Sequence, residues 1–217
     1  MRLSDGERWE AGWKALKLTP PAGLFEEILA RYGEGHRHYH TLRHLRECLE
    51  WLDAARELCE RPAEVELALW FHDAIYDPGR LANEAESAGW AEKALLEAGA
   101  SQECAGRVRG LVLATRHEHE PETPDQAILA DIDFAILGAN TERFEEYERQ
   151  IREEYRTIPA VRFRAGRRAL INRWLEAPSL YHTDFFRERL ENAARKNLER
   201  VLEDSGYCRT GQLPSGS

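Results

Sequence analysis

Apolar residues recur at intervals of three and four along almost the whole chain, the spacing that gathers side chains onto one face of an α-helix. Gly and Pro fall mainly between such stretches, and no segment keeps up the apolar–polar alternation of a half-buried strand. The pattern predicts an all-α protein. Its helices run from about Ser4 to Lys17, Ala22 to Tyr32, His40 to Cys59, Ala63 to Ile75, Ala82 to Glu97, Gln102 to Arg116, Pro124 to Leu137, Thr141 to Tyr155, Ala160 to Leu175 and Thr183 to Leu202.

Entrances and exits of these helices carry the residue types their ends require. Ser101, Thr123-Pro124 and Asn140 offer side-chain acceptors or a helix-compatible proline where the first backbone N–H groups lack partners. Pro20-Pro21, Gly33 to Gly35, Asp77-Pro78-Gly79 and Pro178 read as turns. With no internal repeat and no linker, residues 1–204 are expected to form a single-domain helical bundle, and 205–217 a flexible tail.

Two helices break the amphipathic norm. From Val65 to Ile75 nearly every position is apolar, which predicts a helix running through the middle of the core, yet it ends in His72-Asp73. From Ile128 to Leu137, Asp131 and Asp133 are embedded in a similar run. A carboxylate so placed is costly unless a partner or a cation compensates it.

Composition narrows the function. Apolar residues make up 42% of the 217 and charged residues 32%, a balance that supports a packed core. Thirty Lys+Arg against thirty-nine Asp+Glu give a formal charge of -9, and no basic run is interleaved with aromatics, so polymeric nucleic acid is not an expected partner. No apolar stretch has the length of a membrane span or the form of a leader, and a cytoplasmic location is expected. Cys48, Cys59, Cys104 and Cys208 form no Cys-x-x-Cys pair and read as buried thiols or inert surface ones.

The first cluster of chemistry-bearing residues is Tyr39-His40-Thr41-Leu42-Arg43-His44. On a helix, His40 and His44 would share a face with their Cβ atoms about 6 Å apart. His72-Asp73 and the aspartates at 131 and 133 supply two further clusters. All are made of residue types that bind divalent cations.

These residues resemble the HD superfamily of metal-dependent phosphohydrolases. The order His44, His72-Asp73, Asp131 is similar to its signature. Tyr-His-x-x-x-His, Phe-His-Asp-Ala-x-Tyr-Asp-Pro and Asn-Glu-x-x-Ser, at residues 39–44, 71–78 and 83–87, look like one bacterial branch of it. The resemblance implies an HD-type helical fold and a metal site of His44, His72, Asp73 and Asp131, with Asp131 expected in preference to Asp133. By likeness to cyclic-nucleotide phosphodiesterases, His40 becomes the general acid. Tyr76-Asp77-Pro78 stands where those enzymes carry a further histidine, so one ion is expected ahead of two. His117 reads either as an extra ligand or substrate contact or as a solvated helix end. Glu84 and Ser87 either orient a bound water or mark an acidic helix start.

The implied cofactor is a divalent ion (Mn, Fe, Co, Ni, Mg or Zn), and the implied reaction is hydrolysis of a small phosphorylated substrate, a nucleotide being the expected class. In it, hydroxide generated at the ion attacks phosphorus and His40 protonates the leaving oxygen. Arg43, Arg116 and Arg167-Arg168 are candidate phosphate contacts. The alternatives are a di-iron oxygenase of the same fold and a non-catalytic scaffold that binds a nucleotide or a partner. A homo-oligomer is compatible with the sequence.

Overall fold

The computed structural model describes residues 3–203; the expected tail, 205–217, lies outside the described residues. Among them are ten α-helices and no strand, the class the spacing predicts. In chain order these are α1 (Asp5–Ala15), α2 (Leu24–Tyr32), α3 (Leu42–Ala55), α4 (Pro62–Phe71), α5 (Asn83–Glu97), α6 (Gln102–Ala114), α7 (Pro124–Phe134), α8 (Thr141–Glu154), α9 (Ala160–Glu176) and α10 (Asp184–Glu203). Short 3-10 turns at Arg56–Leu58 and Ala135–Gly138 follow α3 and α7. None of the described helices is long and apolar enough to cross a membrane.

The caps behave as the sequence suggests. Ser101 Oγ accepts from Cys104 N, Thr123 Oγ1 from Gln126 N and Asn140 Oδ1 from Arg143 N. At α1 a full capping box forms, with Ser4 and Glu7 satisfying each other's backbone N–H groups.

Backbone contacts group the chain into two compact units, one ending at Asp133 and one beginning at Phe134. The break falls in the last turn of α7, where no Pro, Gly or charge run marks it. That is why the sequence reads as one domain.

In the first unit α4 is the central helix and packs against α1, α3, α5 and α6. Val65, Leu67, Ala68, Leu69, Trp70 and Phe71 are fully buried. Glu64 and Glu66 are buried on the same helix and are compensated by arginines: Arg107 grips Glu64 through two bonds of 2.8 and 2.7 Å, and Arg8 and Arg56 pair with Glu66. An aromatic group of Trp9, Trp13, Phe25, Trp70, Phe71 and Trp90 fills the space around the helix.

In the second unit α10 packs on α9 and on the turn after α7. Asn197 donates to the carbonyls of Leu137 and Ala139 at 2.8 and 2.9 Å. Arg167 is buried between α8 and α9, where it pairs with Glu148 and donates to the Tyr147 hydroxyl. Arg167 therefore serves the packing of this unit.

Candidate metal centre

Three separate pieces of the first unit bring imidazoles and carboxylates together: the first turns of α3, the C-terminal end of α4 and the C-terminal end of α7. His44 lies in the first turn of α3 and is 2% exposed. His40 is not on that helix. Thr41 takes the N-cap position, in extended conformation, and its hydroxyl accepts from Arg43 N. A capping threonine stops the helix one residue short of His40. The two imidazoles still lie side by side, ring centroids 5.9 Å apart, with His40 stacked on Tyr76 at 4.1 Å.

His72 caps α4, and Asp73 follows it. The last carbonyls of a helix lack intrahelical partners, and the imidazole uses one of them: His72 Nδ1 lies 2.6 Å from Leu69 O. A carbonyl only accepts, so Nδ1 carries the proton. In the neutral ring Nε2 is then left as a lone pair directed away from the helix, the tautomer a metal ligand requires.

That lone pair faces the rest of the cluster. His72 Nε2 is 3.1 Å from His44 Nε2 and 3.1 Å from Asp73 Oδ2. His44 Nε2 is 3.4 Å from Asp73 Oδ2 and 3.3 Å from Asp133 Oδ1, and His72 Nε2 is 3.8 Å from Asp133 Oδ1. Asp73 Oδ2 is buried and has no hydrogen-bond partner, despite two imidazole nitrogens so near. Ligands of one ion at about 2.0–2.3 Å stand about 3.0–3.7 Å from one another. The spacings and the orphaned oxygen therefore fit donors arranged around a common centre better than a set of mutual hydrogen bonds.

Charge in the cluster is strongly coupled. Burial works against ionisation of Asp73, but His72, His40 and His44 outweigh it and hold the carboxyl well below its usual range. Burial likewise opposes charge on Asp133, and bonds from His117 and His44 together with His72 bring its pKa down. For His44, burial disfavours the cation, yet Cys48, Tyr39, Asp133 and Asp73 together raise its pKa well above 6.5. His72 is raised too, burial being outweighed chiefly by Asp73. Without an ion, protons on the imidazoles supply the positive charge that the carboxylates demand.

The expected site residues fall out as follows. His44, His72 and Asp73 are brought together. The carboxylate from α7 is that of Asp133, not the favoured Asp131: among the described residues, His44, Cys48, His72 and Asp133 form the group that could hold a metal ion, each with a ligand atom within 4.8 Å of the others. Asp131 is fully buried on α7 and is not a member. Residues two apart on a helix point about 200° from each other, so the same turn cannot aim both inward. The residue that the Ala-Asp dipeptide favoured lies outside that group.

His117 reaches the site. Its Nε2 is 3.0 Å from Asp133 Oδ2, and its backbone takes a left-handed φ of 50°. Arg116 pairs with Glu118, and Arg43 with Glu47, both near the surface. Glu84 is half-buried on the first turn of α5; burial, Asp73 and Asp133 raise its carboxyl pKa. Ser87 is engaged by the main chain. Its hydroxyl accepts from Ile75 N at 3.0 Å and donates to Ile75 O. Asn83 exchanges two bonds with the backbone of Asp77. The Asn-Glu-x-x-Ser segment thus ties down the loop that follows Asp73.

Two residues escaped the sequence reading. Cys48 follows His44 by one turn, and its Sγ lies 3.7 Å from both nitrogens of that imidazole. The i, i+4 spacing from a candidate ligand was the signal. Arg37, with its side chain fully buried, donates to the carbonyls of His40, Asp73 and Ala74 and lies over the rings of Tyr32 and Tyr76. Nothing local in the sequence distinguishes it from a surface arginine.

Comparison with models of known protein families, with curated proteins and with solved structures returns no significant match.

Proposed function

We propose that this chain is a metal-dependent phosphohydrolase of the HD type, acting on a small phosphorylated substrate such as a nucleotide. The observation that carries the reading is the convergence of His44, His72, Asp73 and Asp133 with their donor atoms 3.1–3.8 Å apart across the imidazole–imidazole and imidazole–carboxylate pairs. A divalent ion held there supplies Lewis-acid stabilisation of phosphoryl charge and lowers the pKa of a bound water.

The remaining chemistry belongs to the chain. His44 and His72 are closed off at 2% and 0% side-chain exposure, whereas Asp73 and Asp133 are 16% and 20% exposed. Substrate therefore approaches over the carboxylates. His40, beside His44 and stacked on Tyr76, is the group within reach to protonate the leaving oxygen. His117 and Arg37 hold Asp133 and the Asp73 loop in place.

The test is turnover by protein loaded separately with Mn, Fe, Co, Ni, Mg and Zn against mononucleotides, cyclic nucleotides and phosphorylated metabolites. Phosphate release that vanishes in His72→Ala and Asp73→Ala supports the reading; undiminished activity in either variant ends it. A second reading, a two-iron oxygenase, draws on His117 as one more imidazole at the cluster. Two irons per chain with an iron-dependent absorbance would favour it.

A further inference from the structure

We propose that Cys48 is a ligand of this metal centre, and that its sulfur selects a borderline-soft divalent cation (zinc, iron or cobalt) over magnesium or calcium. The inference rests on the reading that the cluster binds an ion, and it adds a sulfur donor, in the four-membered group of His44, Cys48, His72 and Asp133, and the class of cation.

Cys48 is on α3, four residues after His44, so the two side chains share a face of the helix. The side chain is buried, and Sγ stands 3.7 Å from both Nε2 and Nδ1 of His44. Around an ion with nitrogen at about 2.0–2.1 Å and thiolate sulfur at about 2.3 Å, a tetrahedral arrangement sets nitrogen and sulfur about 3.6 Å apart. The sulfur lies within 4.8 Å of donor atoms of His44, His72 and Asp133, near enough to join them on one ion once its side chain turns towards the Nε2 lone pair.

Packing explains part of this. Leu45, Cys48, Leu49 and Leu52 form one buried stripe on α3, and a thiol serves there as a small hydrophobe. Packing does not explain why the stripe places its sulfur among two imidazoles and a carboxylate. Cys59 and Cys104 supply the contrast. Both are only half-buried, Cys59 bonds to the carbonyl of Ala55, and neither belongs to the metal-capable group.

The donor set decides the cation. Carboxylates and water alone suit magnesium, calcium and manganese, imidazoles suit zinc and iron, and a thiolate shifts the preference further towards zinc, iron and cobalt. Binding releases the thiol proton to solvent as the sulfur takes the ion.

The test uses the full chain stripped by chelation, with Cys48→Ser and Cys48→Ala beside it, titrated with Co2+ and followed by absorbance. The wild type is expected to show the visible bands of bound cobalt and a near-ultraviolet sulfur-to-cobalt charge-transfer band. Both variants should keep the visible bands, lose the near-ultraviolet one, and bind Co2+ about 10–100-fold more weakly, with Mg2+ binding unchanged. Visible bands in the wild type without the charge-transfer band, or a charge-transfer band that survives in Cys48→Ser, would overturn the role of Cys48 and leave the metal centre standing. No cobalt binding by the wild type would overturn both. Absence of the charge-transfer band from the wild type overturns the role of Cys48 even if one variant fails to fold, and its presence is assigned by whichever of the two variants folds.

Discussion

His117 Nε2 lies 3.0 Å from Asp133 Oδ2, and the backbone at His117 holds a φ of 50° to put it there. Left-handed backbone costs a residue with a Cβ roughly 1 kcal/mol or more. A histidine is kept at a position suited to glycine, and its imidazole meets a carboxylate of the cluster.

Replacing His117 separates the strain from the contact. His117→Gly should be more stable than His117→Ala by about 1 kcal/mol, because only glycine takes this conformation freely. Both should bind the ion about 10-fold more weakly. Urea unfolding of the ion-free proteins and calorimetric ion titration read the two effects apart; equal stability of the variants would show that the backbone is unstrained.

The aspartates of α7 give an equally direct comparison. Asp133→Asn should lose ion binding at least about 10-fold. Asp131→Asn should bind the ion like the wild type, since Asp131 is outside the metal-capable group. Metal content after dialysis checks this, and loss of the ion on changing Asp131 alone would restore the residue that the sequence favoured.

Coupling in the cluster sets a pH dependence. The raised pKa values of His44 and His72 mean that their protonation stabilises the ion-free fold fully below the ordinary 6.5. That stability is lost as pH climbs through the higher folded values. The depressed Asp73 and Asp133 contribute stability above their ordinary 3.8, which is lost as pH falls through the lowered values. The ion-free chain should therefore be most stable between these limits. A cation must displace the imidazole protons, so the rise in Tm that it produces should grow as pH climbs above 6.5 through the higher folded values of His44 and His72. Thermal melts with and without ion would show this, and a pH-independent rise would contradict it.

Arg37 anchors the loop through three carbonyls. Arg37→Lys offers no fork to span them and should cost about 2–3 kcal/mol in chemical denaturation. It should also weaken ion binding, since Asp73 hangs from the same loop. A variant as stable as the wild type would show that the loop holds its shape without the guanidinium.

The helical fold was legible because burial imposes its period directly on the sequence. The apolar run around Leu67 to Phe71 announced the central helix, and His44, His72 and Asp73 stood out as polar residues against it. What stayed hidden was decided by geometry within a single turn. Thr41 capping α3 removed His40 from the helix, and the end of α7 turned Asp133, not the more deeply buried Asp131, towards the two imidazoles. Cys48 was masked by its own stripe, because a sulfur that also packs looks like any buried thiol. Arg37 acts through carbonyls that belong to distant residues, and no pattern in its own segment reveals that.

The proton on His72 Nδ1 is fixed by the main chain of residue 69. No change of side chain at position 69 can delete that acceptor, so a scan of substitutions there would report only packing. The feature that decides which imidazole nitrogen is offered to an ion is thus invisible to mutagenesis of its partner. It moves only if the final turn of α4 is itself unwound.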